Sequence, residues 1–421
     1  SKMIGEIIAI GSELTSGRVL NTTSRFAAGR LFGAGHDILS MATIGDTPAE
    51  ISKTLLRATK RADFIIVTGG LGATSDDLTS EVVGQALGRP AVFHPEIFDK
   101  IKARHVKADD VDLKTLKKLA VLPTGAEILN PEGKMAGYLL VHDSKPIFFL
   151  PGVPHEMQEL LADKVIPRLA LWQGGEANLV KQRVYKVFGL GETEINRRVA
   201  HLEREEDGRV RIGYYPVFPE VHLSLAVIAG DRANIEKIFQ HLEDEVKTAL
   251  GDALYGTDDD TMESVVGELL LSQKKMLATA ESCSGGLIGY KITAVSGSSN
   301  YFAGGVIAYS NDLKEKFLGV DSDLLARHGA VSSAVAKAMA AGIRSKTAAD
   351  IGLAVTGIAG PTGGTLEKPV GTVFIALSTP DETIDIPCRF AGDRWQVQEL
   401  SAVTSLDLIR RLLLGRKLQI C

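Results

Sequence analysis

The chain has 421 residues, 45% hydrophobic and 24% charged, with a formal net charge of −5. That length exceeds one ordinary core and predicts two or three domains. The acidic balance and the lack of a basic block argue against a nucleic-acid partner. Cys283, Cys388 and Cys421 show no CxxC spacing and no even framework, which fits a reducing cytosol and argues against a zinc cage. The apolar runs are of strand length and no leader pattern is found, so a cytoplasmic protein with no membrane partner is expected.

Ile7-Ile8-Ala9-Ile10 reads as a buried strand breaking at Gly11-Ser12-Glu13. Residues 22–32 have helical spacing, Ile38 to Ile44 is strand-like up to Gly45-Asp46, and Pro48 opens a second helix with Ile51, Leu55 and Ala58 on one face. Phe64 to Val67 is a third strand, running into Thr68-Gly69-Gly70-Leu71-Gly72. Strands alternating with helices predict a parallel sheet covered on both faces, with ligands bound beyond the strand ends. Glu13, Asp46 and the pair Asp76-Asp77 fall in those turns. Gly69, Gly70 and Gly72 would let backbone approach a phosphate, and the aspartates could hold a divalent cation against it. The plainer reading is that Asp76-Asp77 cap a helix from Leu78 to Leu87.

Gly-Ser-Glu-Leu at 11–14, Ile-Gly-Asp at 44–46, the run Thr68 to Thr79 and Phe-Leu-Pro-Gly-Val-Pro-His-Glu-Met at 149–157 resemble the molybdopterin-binding-like domain of the CinA family of competence/damage-inducible proteins. The resemblance implies a metal-dependent pyrophosphatase acting on ADP-ribose, with magnesium, manganese or cobalt as cofactor and Asp46, Asp76 and Asp77 as metal ligands. Glu13, Gly69 and Gly70 would complete that site. Two positions depart from the family pattern: Ala73 stands where proline is usual, and Asn21 stands where an acid is usual.

A break is expected at Gly174-Gly175. Arg183 to Phe188 reads as a strand, Thr193 to Leu202 as a helix, and Val221 to Ile228 as a strand before an amphipathic helix carrying Ile235, Phe239, Leu242, Val246 and Leu250. The run Glu203 to Asp207 reads as a solvated surface. The family has a KH-like module here. The GXXG clamp that RNA binding needs is absent, so the segment reads as a structural spacer rather than a nucleic-acid binder. Gly256 to Thr261 reads as a polar linker.

Met262, Val265, Val266, Leu269 and Leu270 form one apolar helix face. Lys275 to Ala280 is a short buried strand, and Glu281, Ser282, Cys283, Ser284, Gly285 and Gly286 lead into a helix from Leu287 to Thr293. Hydroxyls on a strand-to-helix turn can present a nucleophile beside free N–H groups, or can simply cap the helix. Val306 to Ala308 is strand-like. With a helix starting near Asn311, Tyr309 sits at its mouth and Lys314 one turn inside. A lysine normally stays solvated, but one in a dry pocket loses proton affinity and can serve as a base. Ile351 to Val355 is a strand ending in Thr356-Gly357-Ile358-Ala359-Gly360-Pro361, which is either a phosphate cradle or an ordinary connection. Arg394 stands at a helix start, to clamp a phosphate or to pair with Asp393 and Glu399.

Ala-Glu-Ser-Cys-Ser-Gly-Gly, Ala-Tyr-Ser-Asn-Asp-Leu-Lys, Gly-Ala-Val-Ser at 329–332, Thr-Gly-Ile-Ala-Gly-Pro, Glu-Lys-Pro-Val-Gly-Thr-Val and Phe-Ala-Gly-Asp-Arg follow the family's C-terminal domain in order and spacing. Ser284 stands where threonine is usual. The resemblance implies a nicotinamide-mononucleotide deamidase, needing no cofactor, that releases nicotinate mononucleotide and ammonia. The expected catalytic set is Ser282 as nucleophile, Lys314 as base and Tyr309 as its assistant. Backbone at Ser284 to Gly286 would hold the oxyanion. Glu281, Asn311, Thr356, Gly357, Ala359, Gly360 and Arg394 would bind substrate. Cys283 and Ser284 are rival nucleophiles, although the domain's single histidine, His328, leaves Cys283 without an obvious activator. The rival of another class is a decayed binding or scaffold protein.

The expected fold class is α/β in three domains: residues 1–170 a molybdopterin-binding-like parallel-sheet sandwich, 171–256 a KH-like α/β module, and 257–421 an α/β deamidase domain. A homodimer binding small nucleotides is expected.

Overall fold

The computed structural model of the protein describes residues 3–72, 77–105, 113–131, 137–172, 179–204 and 208–418. The chain divides into two compact units, Ser1–Gln182 with Val227–Gln240, and Arg183–Ala226 with His241–Cys421. Ala73, Asp76, the break at Gly174-Gly175, residues 205–207 of the charged run and Cys421 lie outside the described residues. Among the described residues, no helix is long and apolar enough to cross a membrane.

The first unit contains β1 (Ile4–Ile10), β2 (Asp37–Ile44), β3 (Phe64–Thr68), β4 (Ala91–Phe93), β5 (Val121–Pro123), β6 (Glu127–Ile128), β7 (Tyr138–His142) and β8 (Lys145–Leu150). Its main sheet has the order β2-β1-β3-β8-β7-β6, while β4 and β5 pair separately. The first four strands run parallel, and β7 and β6 are antiparallel. Alternate residues feed two cores, as a sheet covered on both faces requires. Ile8, Ile65 and Val67 pack with Ile51, Leu55 and Ala58 of the helix Pro48–Arg61. Ile7, Phe64 and Ile66 pack with Ala27 and Leu31 of the helix Thr22–Gly33. The covered parallel sheet is therefore present, extended by an antiparallel edge that strand–helix alternation does not reveal. Asp143 and Ser144 make the turn between β7 and β8, both with positive φ. That is hairpin geometry, reached without the usual glycine.

The middle module contributes β9 (Leu179–Val187), β10 (Val210–Val217), β11 (Glu220–Ala229) and β12 (Leu254–Thr257), in the order β10-β11-β9-β12. The expected linker at Gly256 to Thr261 is ordered structure instead. Thr257 pairs with Tyr185, the Asp260 carboxylate accepts the Thr257 N–H at 2.7 Å, and Thr261 with Ser264 makes a capping box on the helix Met262–Ser272.

Beyond it lie β13 (Leu277–Glu281), β14 (Phe302–Ile307), β15 (Ile351–Gly357), β16 (Thr372–Ser378) and β17 (Thr383–Arg389). Their order is β14-β13-β15-β16-β17, parallel across the first three and antiparallel thereafter. The two faces differ in side-chain size. Leu277, Leu353, Val355 and Ile375 pack toward the helix Arg394–Leu413. Ala278, Ala280, Ala354 and Ala376 face the helix Ser333–Thr347. The small residues let that helix lie close, and a Cβ at Gly352 would run into the Ala340 carbonyl. Cys283 is a buried free thiol.

The helix Arg394–Leu413 is buried over most of its length and carries charge inside the core. Arg410 and Arg411 each donate to the Asp407 carboxylate at 2.7 Å, and Arg410 also donates to the Asp252 carbonyl at 2.6 Å. Removing Asp407 would strand two buried cations. Asp407→Ala should therefore destabilise the C-terminal unit by roughly 3–5 kcal/mol in denaturant unfolding, and a loss below about 1 kcal/mol would contradict this reading of the core.

Candidate functional site

Three parallel strands deliver their C-terminal ends to one place, the side on which such sheets bind ligands. Ser282 follows β13 and donates its N–H to the Val355 carbonyl at 3.0 Å. Ala308 follows β14 and donates its N–H to the Glu281 carbonyl at 2.9 Å. Thr356 and Gly357 end β15. Between them opens a cavity of about 180 Å³ lined by Ser282, Cys283, Tyr309, Lys314, Ala330 and Val331 together with Thr356, Gly357, Ala359 and Arg394.

Lys314 enters from the helix Asn311–Leu318, whose start is capped by Ser310 accepting the Leu313 N–H at 3.3 Å. Lys314 and Leu318, one turn apart, form that helix's buried face, and Lys314 is only 1% exposed. Its Nζ lies 3.2 Å from Ser282 Oγ, 2.9 Å from the Ala308 carbonyl and 3.3 Å from the Tyr309 carbonyl. Burial holds its pKa below the ordinary 10.5, with a smaller opposing pull from Cys283. A neutral amine has two N–H donors and one lone pair. The two carbonyls take the donors, which leaves the lone pair for the hydroxyl proton of Ser282.

Cys283 lines the same cavity, but burial pushes its thiol pKa up to about 12. It stays protonated at neutral pH and is a poor rival to Ser282. The Ser282 loop is not held by a hydroxyl cap. Gly286, with φ of 96°, occupies the cap position of the seven-residue helix Leu287–Thr293 without any side-chain cap. Glu281, 2% exposed, supplies the acceptors instead: Ser284 Oγ at 2.8 Å and the N–H groups of Ile288 and Gly289 at 2.9 Å. Glu281, Ser284, Gly285 and Gly286 are thus support beneath the loop, and none of them lines the cavity. The Gly285 N–H is taken by the Ser282 carbonyl at 3.1 Å, which corrects its expected place as an oxyanion donor.

Tyr309 is 59% exposed and lines the same cavity. Its hydroxyl accepts from Arg394 Nη2 at 2.9 Å, while its backbone carbonyl is what meets Lys314. Arg394 also donates through Nη1 to the Gly360 carbonyl at 2.6 Å. The surface pairing with Asp393 and Glu399 is not formed: Asp393 caps the helix with Gln396, and Glu399 meets Lys291 at 3.0 Å. Thr356 Oγ1 donates to the Ala330 carbonyl at 2.8 Å, tying two walls together. Asn311 is exposed at its helix start and Gly360 acts only through its carbonyl, so neither lines the cavity. Sequence reasoning missed Ala330 and Val331, although Gly-Ala-Val-Ser spans them. It also missed Gln398, whose Nε2 donates to the Cys283 carbonyl at 3.0 Å from 115 residues away along the chain.

In the first unit, Glu13, Asp46, Gly69, Gly70 and Asp77 line one cavity of about 540 Å³, with Asn21 and Glu156. Asp76 lies outside the described residues. Gly69 has φ of 96°, and a Cβ there would strike the Ile10 carbonyl. The helix Thr79–Ala86 begins at Leu78, whose own side chain supplies no cap. Asn21 is spent on structure: its Oδ1 accepts the Ser24 N–H at 3.1 Å, and its Nδ2 donates to Thr43 Oγ1 at 2.9 Å. Among the described residues, no three His, Cys, Asp or Glu side chains converge as a metal cage.

Three family models match in chain order: a probable molybdopterin binding domain over residues 6–171, the damage-inducible protein CinA KH domain over 182–256, and the CinA C-terminal domain over 259–413. A CinA-like protein of Desulfotalea psychrophila is 53% identical over 409 residues, covering 97% of this chain and 98% of the relative. A putative competence-damage inducible protein of Caldicellulosiruptor saccharolyticus is 38% identical over 418 residues, covering 98% and 100%. A CinA-like protein of Nostoc sp. is 39% identical over 430 residues, again covering 98% and 100%.

The buried amine predicts a particular pH dependence of stability. The folded state holds Lys314 below 10.5, so between that depressed value and 10.5 the unfolded chain binds more protons and stability rises with pH. Relative to Lys314→Met, the natural chain should be least favoured below that depressed value, with the gap closing as pH rises toward 10.5. Denaturant unfolding of both chains across that range checks it. A gap independent of pH would mean that the lysine keeps its proton in the fold.

Proposed function

The chain belongs to the CinA family, and from that premise we propose that its C-terminal domain is an amidohydrolase converting nicotinamide mononucleotide and water to nicotinate mononucleotide and ammonia. The observation that carries the reading is the 3.2 Å contact between a desolvated lysine and a serine hydroxyl in one cavity. Amide hydrolysis needs a nucleophile, a base and a donor for the departing nitrogen, and this pair can supply all three.

Ser282 Oγ attacks the carboxamide carbon while its proton passes to the Lys314 lone pair. The tetrahedral intermediate collapses, the C–N bond breaks, and the new ammonium of Lys314 returns a proton to the nitrogen, which leaves as ammonia. Water then attacks the acyl-serine. Lys314 takes the water's proton and hands it back to Oγ as the acid departs. Before each return, the positive charge on Nζ sits beside the oxyanion and stabilises it without further reorganisation. The carbonyls of Ala308 and Tyr309 keep the amine aimed throughout. At the rim, Arg394 is held by two neutral acceptors, so its charge is left for the 5′-phosphate.

For the N-terminal domain, the second reading is ADP-ribose pyrophosphate hydrolysis, supported by Glu13, Asp46 and Asp77 facing one cavity beside Gly69-Gly70. A divalent ion would supply charge neutralisation on the pyrophosphate. The described donors by themselves do not make a site for one, and no step is derived through it. The relatives' names speak of competence and damage induction, which keeps the scaffold alternative in the test.

Ser282→Ala should lower ammonia release from nicotinamide mononucleotide by on the order of a thousandfold or more, while Cys283→Ala stays within about tenfold of the natural chain. Full activity in Ser282→Ala ends the proposed mechanism. AMP release from ADP-ribose with magnesium, manganese or cobalt tests the N-terminal reading. Inertness toward both substrates, with salt-sensitive DNA binding, would favour the scaffold.

A further inference from the structure

β10 and β11 are joined by Phe218-Pro219, and Tyr215, Val217 and Phe218 stand exposed about this hairpin's tip. The start of β11 is pinned. Glu220 accepts from the Tyr255 hydroxyl at 2.6 Å and meets His222 Nε2 at 2.6 Å. A large apolar side chain on such a tip ordinarily gains little from water. Phe218 instead sits with its ring centroid 5.4 Å from that of Trp395, the planes tilted by 40°, within the range where aromatic pairs attract beyond their buried area.

Trp395 is 56% exposed and is the immediate neighbour of Arg394 in the first turn of the helix Arg394–Leu413. Phe218, Trp395, Arg394 and Tyr309 therefore form a connected series ending at the cavity of Ser282 and Lys314. The first turn of a helix is where backbone hydrogen bonding is weakest and fraying begins. A stiff hairpin pressed on Trp395 restrains that turn, and with it the guanidinium.

We propose that the β10–β11 hairpin of the middle module is a working part of the C-terminal site. Phe218 is a positioning residue that, through Trp395, fixes Arg394 at the cavity mouth and sets the affinity for a phosphate-bearing substrate. The inference rests on the amidase reading and replaces the passive spacer expected of this module. It assigns the brace to the affinity for the nucleotide, not to the bond-making step at Ser282.

The test uses the full chain carrying Ser282→Ala, which removes turnover, and measures the Kd for nicotinamide mononucleotide by calorimetry with and without Phe218→Ala. Phe218→Ala should weaken binding about three- to tenfold, and Phe218→Leu should recover part of the loss. In the chain that keeps Ser282, Phe218→Ala should raise KM by a similar factor with kcat held within about twofold. Trp395→Ala should give the same loss, with the double variant no worse than either single one. Unaltered affinity in Phe218→Ala overturns the inference and leaves the amidase reading standing. So does a fall in kcat at constant KM, the mark of a merely misfolded fraction. No binding even with Phe218 in place overturns both.

Discussion

The C-terminal unit turns on one contact, the Lys314 amine buried against the Ser282 hydroxyl and two backbone carbonyls. In water that amine would be an ammonium, unable to accept a proton. Held dry, it loses proton affinity, and the carbonyls fix which way its lone pair points. The rest of the site keeps this contact dry and aimed. The Asn311–Leu318 helix turns Lys314 inward, β13 and β15 hold the Ser282 N–H, and Glu281 anchors the start of the next helix in place of a cap.

The scaffold reflects that requirement. A sheet face of alanines lets the Ser333–Thr347 helix lie close, while the opposite face buries leucine, isoleucine and valine against the Arg394–Leu413 helix. The latter helix serves both ends of the problem. Its first two turns supply Arg394 at the cavity mouth and Gln398 beneath the nucleophile loop, and its last turns bury the Asp407 ion network in the core. The proposed brace from Phe218 adds the middle module to the same construction.

Much of this was legible in the residues. Short continuous apolar runs marked β1, β3, β13 and β15, and the spacing predicts the helix Leu287–Thr293 with its observed bounds. The motifs brought Ser282, Tyr309, Lys314, Thr356, Gly357, Ala359 and Arg394 to one cavity. What escaped was what three-dimensional neighbours decide. Lys314 reads the same in the sequence whether its side chain is solvated or buried, and Leu318 four residues on is the one local hint of an inward face. Glu281 looked like a substrate ligand because its carboxylate sits beside the nucleophile in sequence, but its partners are N–H groups seven and eight residues later. The β7–β8 turn at Asp143-Ser144 lacks the glycine that flags such hairpins. Gln398 and Phe218 reach their partners from far along the chain, where no spacing rule applies.

The most direct measurement is the titration of the Lys314 amine itself, by NMR of the chain labelled at lysine nitrogen, with Lys314→Arg identifying the resonance. The account predicts a midpoint clearly below 10.5 that moves when Ser282 is replaced by alanine. A midpoint at or above 10.5, indifferent to Ser282, would leave the serine without a base and contradict the account.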